Sequence, residues 1–122
     1  MKRIFAFALF IAVLLSLFAC GNNEDIYASL CSQLDETSMS GTEYSQSEID
    51  QLESRFAKMN LEGGFKRVNH FRSKTEYAYV IEFENSADAT TFSERIGTSS
   101  YNLKQFEGVV VYGQSASIES LK

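Results

Sequence analysis

The sequence predicts an α+β fold: a four-stranded antiparallel sheet with two helices on one face. Three observations over residues 45–122 carry that expectation. Ile49, Leu52, Phe56 and Met59 recur at helical spacing behind the capping-box pattern Ser45-Gln46-Ser47-Glu48. Tyr77, Tyr79, Ile81 and Phe83 alternate with Ala78, Val80 and Glu82, the period of a strand rich in aromatic and β-branched residues. The order helix–strand–strand then occurs a second time, and each amphipathic helix has one stripe to bury against a sheet.

The first helix runs from Ser45 and stops at Gly63-Gly64. Phe65–Arg72 and Thr75–Glu84 follow as two strands, and the polar break at Ser73-Lys74 reads as a hairpin turn. Asn85 or Ser86 can cap a second helix over Ala87–Ile96, with Ala89, Phe92 and Ile96 inward and Gly97 as its stop. Tyr101–Phe106 and Val109–Tyr112 form a second hairpin around Glu107-Gly108, and Ser115 can cap a last short helix carrying Ile118 and Leu121. A ferredoxin-like arrangement is the alternative, should Tyr101–Tyr112 be one long strand with a bulge at Gly108. Residues 20–44 read as a tether. Asn23 can cap a short helix over Glu24–Leu34, and the polar stretch from Asp35 to Glu43 reads as linker.

The N-terminus has a different character. Lys2 and Arg3 precede an uncharged run, Ile4–Ala19, that ends in Leu17-Phe18-Ala19-Cys20, after which the chain turns polar. A basic start, an apolar run and a small residue before a break are the parts of an export signal. An ordinary cleavage site would pair Ala19 with Leu17, which is too large, and the run falls short of the roughly 20 apolar residues of a membrane span. Leu17–Cys20 resembles the signal of bacterial lipoprotein precursors. The resemblance implies a signal peptide over residues 1–19, a diacylglyceryl group on the Cys20 thiol, and a mature chain held by lipid on the outer side of a bacterial cell membrane or on an outer membrane. Two acyl chains suffice for stable anchoring. The resemblance covers the export segment and says nothing of the domain behind it.

Without residues 1–19 the chain keeps 9 basic against 16 acidic residues. So acidic a chain lacks the clustered Lys and Arg that nucleic acid or anionic lipid would require. Cys31 is the one cysteine besides Cys20, and His70 is the only histidine. With Cys20 lipidated no disulfide forms within the chain, and Cys31 is expected to pack as a small apolar residue. His70 has neither a nucleophile nor an orienting partner in view, and no spacing of His, Cys or acids suits a metal. No catalytic residue, metal or cofactor is expected.

What remains is surface. Tyr77, Tyr79, Tyr101 and Tyr112 all fall in predicted strands, and tyrosine suits sites apolar at one end and wet at the other. They either pad a small core or, where they lie on the sheet face without helices, form a binding surface. The functional expectation is a lipid-anchored, non-catalytic binding or accessory module with a protein partner in the cell envelope. The alternative is a lipoprotein inhibitor or immunity factor directed at an incoming enzyme.

Overall fold

The computed structural model describes residues 23–97 and 100–122; the export segment and Cys20 lie outside them. The fold is α+β, with a five-stranded antiparallel sheet. In chain order its elements are α1 (Asn23–Asp35), β1 (Ser40–Glu43), α2 (Gln46–Ser54), β2 (Phe65–Arg72), β3 (Tyr77–Phe83), α3 (Ser86–Ile96), β4 (Asn102–Phe106) and β5 (Val109–Gln114). Short 3₁₀ turns at Ala57–Met59 and Ala116–Ser120 complete it. The strand order is β1-β2-β3-β5-β4. Among the described residues no helix is long and apolar enough to cross a membrane.

Local signals act as the sequence suggests in the second half of the chain. The Ser45 hydroxyl accepts from the Glu48 N–H at 3.3 Å, and the Glu48 carboxylate accepts from the Ser45 N–H at 2.8 Å. Asn85 accepts from the Asp88 N–H at 2.8 Å and starts α3, which Gly97 ends with φ +67°. The first hairpin's connection is longer than the break at Ser73-Lys74 suggests: Arg72 pairs with Tyr77, so residues 73–76 form the turn. Helix α2 ends at Ser54, and Phe56 and Met59 belong to an irregular turn rather than to one helix reaching Gly63.

The spacing of Phe65, Val68 and Phe71, awkward for a strand, is explained by a bulge. Phe65 pairs with Phe83 and Arg67 with Glu82, so Lys66 is the extra residue. That single insertion puts both Phe65 and Val68 on the α2/α3 face, while Phe71 points to the other.

Two expectations are corrected. The tether over residues 20–44 is largely part of the fold. Tyr27, Leu30 and Leu34 line one side of α1 and are buried against Phe71, Ala78, Val80, Val109 and Val111. Asn23 spends its side chain across the molecule, its Oδ1 accepting from the Gly108 N–H at 3.1 Å. The polar linker is edge strand β1, paired Ser40 with Arg72 through Glu43 with Asn69. All four β1 residues are exposed, so backbone bonds rather than an apolar face hold it. Gly41 is required there: a Cβ would stand 2.5 Å from the Phe71 ring.

The second correction concerns layers. Helices α2 and α3 do share a face, over Ile81, Phe83 and Val110, but the opposite face is covered by α1 and the C-terminal turn, where Ile118 and Leu121 are buried. The sheet therefore carries a core on each side, and the bare face on which a binding surface was sought does not exist. The hairpin expected over Tyr101–Tyr112 is present, with Glu107 at φ +56° in its turn, so the condition for the ferredoxin-like alternative is not met. Strand β5 instead lies between β3 and β4, so β3–α3–β4 is a split unit.

Charges on the α1 face are paired. Glu82 is buried on β3; Arg67 Nη2 stands 3.0 Å from its Oε1, in contact but not aligned as a hydrogen bond, and Lys66 Nζ lies 3.8 Å from Oε2. Arg67 also reaches Glu24 at 3.4 Å and covers the Tyr27 ring at 4.9 Å from its centroid.

Candidate functional site

The four tyrosines singled out from the sequence come together, on the α2/α3 face. Register explains it. His70 pairs with Tyr79 across β2 and β3, and Tyr79 pairs with Tyr112 across β3 and β5. Their side chains therefore form one row on one face. The His70 and Tyr79 rings stack at 4.2 Å with 6° between planes, and Tyr79 and Tyr112 at 5.4 Å with 19°. Tyr77 stands edge-on to Tyr79 at 6.0 Å, and Tyr101 edge-on to Tyr112 at 5.6 Å. Tyr79 and Tyr112 are buried, whereas Tyr77 and Tyr101 are half-exposed. Tyr44, just ahead of α2, closes the row beside His70, its hydroxyl 3.4 Å from Nδ1.

This row floors an open pocket of about 610 Å³, within the range usual for small-molecule sites. Helix α2 runs from beside Val68 away from that end of the sheet, its Glu53 carboxylate accepting from the Phe65 N–H at 2.9 Å. Nine residues of α2 span only about 14 Å. Beyond its last turn Arg55 and Phe56 form one wall, and Ile96 at the end of α3 contributes to another. The β2–β3 turn brings Arg72, Lys74 and Glu76 to the rim. Glu76 is already engaged, accepting from the Ser115 hydroxyl.

The surroundings set the protonation states. Burial lowers the His70 pKa from its ordinary value, and the Arg72 and Arg55 guanidinium groups push it further the same way, so the imidazole is neutral near pH 7. Burial also raises the Tyr112 and Tyr77 phenols, and raises Tyr44 to about 12 with help from the Tyr79 hydroxyl. The pocket thus presents neutral rings, phenolic hydroxyls that can donate or accept, and cations at its mouth.

The remaining candidates lie elsewhere. Cys31 sits on α1, half-buried on the opposite side of the sheet, and burial followed by the nearby Glu43 and Asp35 carboxylates pushes its thiol up to about 12. Such a thiol is nearly all protonated at neutral pH and a poor nucleophile. Its expected place in a tether is corrected with that of α1, and it packs against the core. His70, for which the sequence offers no partner, stacks on Tyr79 in the pocket. Among the described residues no three His, Cys, Asp or Glu side chains gather as a metal site would require. Cys20 lies outside the described residues.

Sequence reasoning missed Arg55 and Arg72 altogether. For Arg72 a signal existed, because period-two counting along β2 from Val68 puts His70 and Arg72 on one face. Arg55 had none, since its position depends on where α2 breaks.

Asp88 acts away from the pocket, near the Phe83 end of the sheet. It anchors the loop between α2 and β2, its carboxylate accepting from the N–H groups of Glu62, Gly63 and Gly64 at 3.0, 2.8 and 3.0 Å. Burial disfavours its charge, but these three donors outweigh burial and hold its carboxyl below the ordinary value.

Against known proteins the chain matches no family model, no curated protein and no solved structure, and the geometry of the aromatic pocket is therefore the ground on which its function is read.

Proposed function

We propose that this protein is a membrane-anchored lipoprotein of the bacterial envelope whose domain is a non-catalytic binding module, and that it binds through the aromatic pocket. The observation that carries the reading is the stacked row His70–Tyr79–Tyr112, which floors an open pocket flanked by the half-exposed Tyr77 and Tyr101. Rigid aromatic surface of this kind contributes binding energy at low entropic cost. The pocket has little to offer catalysis: its histidine meets a tyrosine hydroxyl rather than an orienting carboxylate, and the thiol lies across the sheet.

Anchoring through Cys20 gives the pocket a direction. Two residues, Gly21 and Asn22, lie between Cys20 and the start of α1, and the three chain steps reach at most about 10 Å, so a lipid there holds the domain close against the membrane rather than on a long tether. Asn23 is bound to Gly108, at the end of the sheet where Phe83 lies. The pocket is at the opposite end of β3, beside Tyr77, and the six steps from Tyr77 to Phe83 cover about 20 Å. The pocket then opens away from the membrane, toward whatever the compartment supplies.

Two measurements test this. In bacteria making the full chain, labelled fatty acid is expected in the wild type and absent from Cys20→Ser, which should persist as the larger precursor; normal labelling and size of that variant would end the anchoring proposal. In affinity capture from solubilised envelope, Tyr77→Ala/Tyr101→Ala should lose what the wild type retains, since aromatic anchors commonly cost more than about 1 kcal/mol each when truncated. Equal retention by a folded double variant would remove the pocket from the binding site.

A further inference from the structure

The charge around the pocket runs against the charge of the chain. The sequence as a whole carries a net −5, yet Arg55, Arg72 and Lys74 stand at the pocket mouth against Glu76 alone. Glu76 is hydrogen-bonded to Ser115. Among the described residues neither Arg55 nor Arg72 takes part in an ion pair; the paired cations are Lys66 and Arg67 on the α1 face. Two guanidinium groups from separate elements, one after α2 and one at the end of β2, thus line one opening, and neither is paired with a carboxylate. Both are close enough to His70 to oppose its protonation.

We propose that the pocket takes an anionic small molecule: a carboxylate or phosphate ester carried on a flat ring. This rests on the pocket being the binding site, and it names the ligand's chemistry. The ring enters between the half-exposed Tyr77 and Tyr101 and lies over the row of His70, Tyr79 and Tyr112. The anionic group stays at the mouth, where the guanidinium fork of Arg55 or Arg72 can grip two of its oxygens. The Tyr77 phenol, which lines the pocket, remains protonated and can donate to the same anion without repelling it. The volume of about 610 Å³ accommodates a molecule of ordinary metabolite size.

The test uses the full chain in micelles of a non-ionic detergent, with ring signals of His70 and the tyrosines followed by NMR. Four probes share one ring and differ in charge: benzoate, phenyl phosphate, benzyl alcohol and benzylammonium. The two anions should shift the pocket's ring signals and bind about two- to fivefold more tightly than benzyl alcohol, the scale on which exposed ion pairs act. Benzylammonium should bind weakest. The preference for anions should shrink as salt is raised and fall to about one in Arg55→Gln/Arg72→Gln, while Arg55→Lys/Arg72→Lys keeps a part of it. Both arginines are exposed, so these variants should fold. Benzyl alcohol or benzylammonium binding in the pocket as tightly as benzoate would overturn the anionic assignment and leave the pocket standing. Failure of all four to move the ring signals at millimolar concentration would overturn both.

Discussion

Truncating Leu34 distinguishes a docked α1 from a tether. Leu34 is fully buried, beside Tyr27, Leu30 and Met39 in the core on that side of the sheet. If residues 20–44 were a solvated tether, Leu34→Ala would leave stability nearly untouched, and alanine would even favour the helix slightly. In the docked arrangement the substitution loses the transfer energy of the removed carbons and opens a cavity between α1 and the sheet. Buried Leu→Ala changes cost about 2–5 kcal/mol, and Leu34, anchored near a helix end, belongs toward the middle at about 3 kcal/mol. For a domain of this size that lowers Tm by roughly 12–24 °C, at about 4–8 °C per kcal/mol. The measurement is urea and thermal unfolding of residues 20–122 carrying Cys20→Ser, followed by circular dichroism. Ala28→Ser, on the exposed side of the same helix, serves as control and should stay within about 0.5 kcal/mol. A Leu34→Ala loss no larger than that of the control would refute the docking of α1 and restore the tether.

Two further side chains, His70 in the pocket and Asp88 at the far end of the sheet, give predictions of their own. His70, as the only histidine, gives one imidazole titration by NMR, and its midpoint should fall below the ordinary value of about 6.5; a midpoint above that would contradict its burial beside Arg55 and Arg72. Because the folded-state value is the lower one, the unfolded chain binds the proton more readily. The resulting stabilisation is full above about pH 6.5 and is lost as pH falls toward the folded midpoint, a dependence that His70→Gln should reduce. Asp88→Asn should cost about 1–3 kcal/mol by breaking the set of three backbone donors, and it should speed amide exchange at Glu62, Gly63 and Gly64; unchanged exchange there would show that the carboxylate does not hold the loop. The Asp88 contribution has the opposite origin but the same sign with pH: its lowered folded value makes it present above the ordinary carboxyl value and lost as acid protonates the folded form.

What the sequence determined by itself was what neighbours along the chain decide. The Ser45–Glu48 box, the Asn85 cap, the alternation from Tyr77 to Phe83 and the Glu107-Gly108 turn depend on contacts a few residues apart, and the structure has each of them. The α+β class follows, because amphipathic helices and alternating strands have few other ways to bury their apolar sides. The tertiary structure decided what depends on distant partners. Strand β1 has no apolar face and exists because the β2 edge offers it backbone donors and acceptors. Helix α1 has a readable stripe, but its place was set by Phe71, Val80 and Val111, and by the Asn23–Gly108 bond that joins residues 85 apart. The pocket came from both. Period two put Tyr77, Tyr79 and Tyr112 in strands, while the pairing of β2 with β3 and of β3 with β5 aligned His70, Tyr79 and Tyr112 into one row. The early end of α2 brought Arg55 to its edge. Register is a property of strand pairs and helix ends are set by packing, so the site took form only when the chain closed on itself.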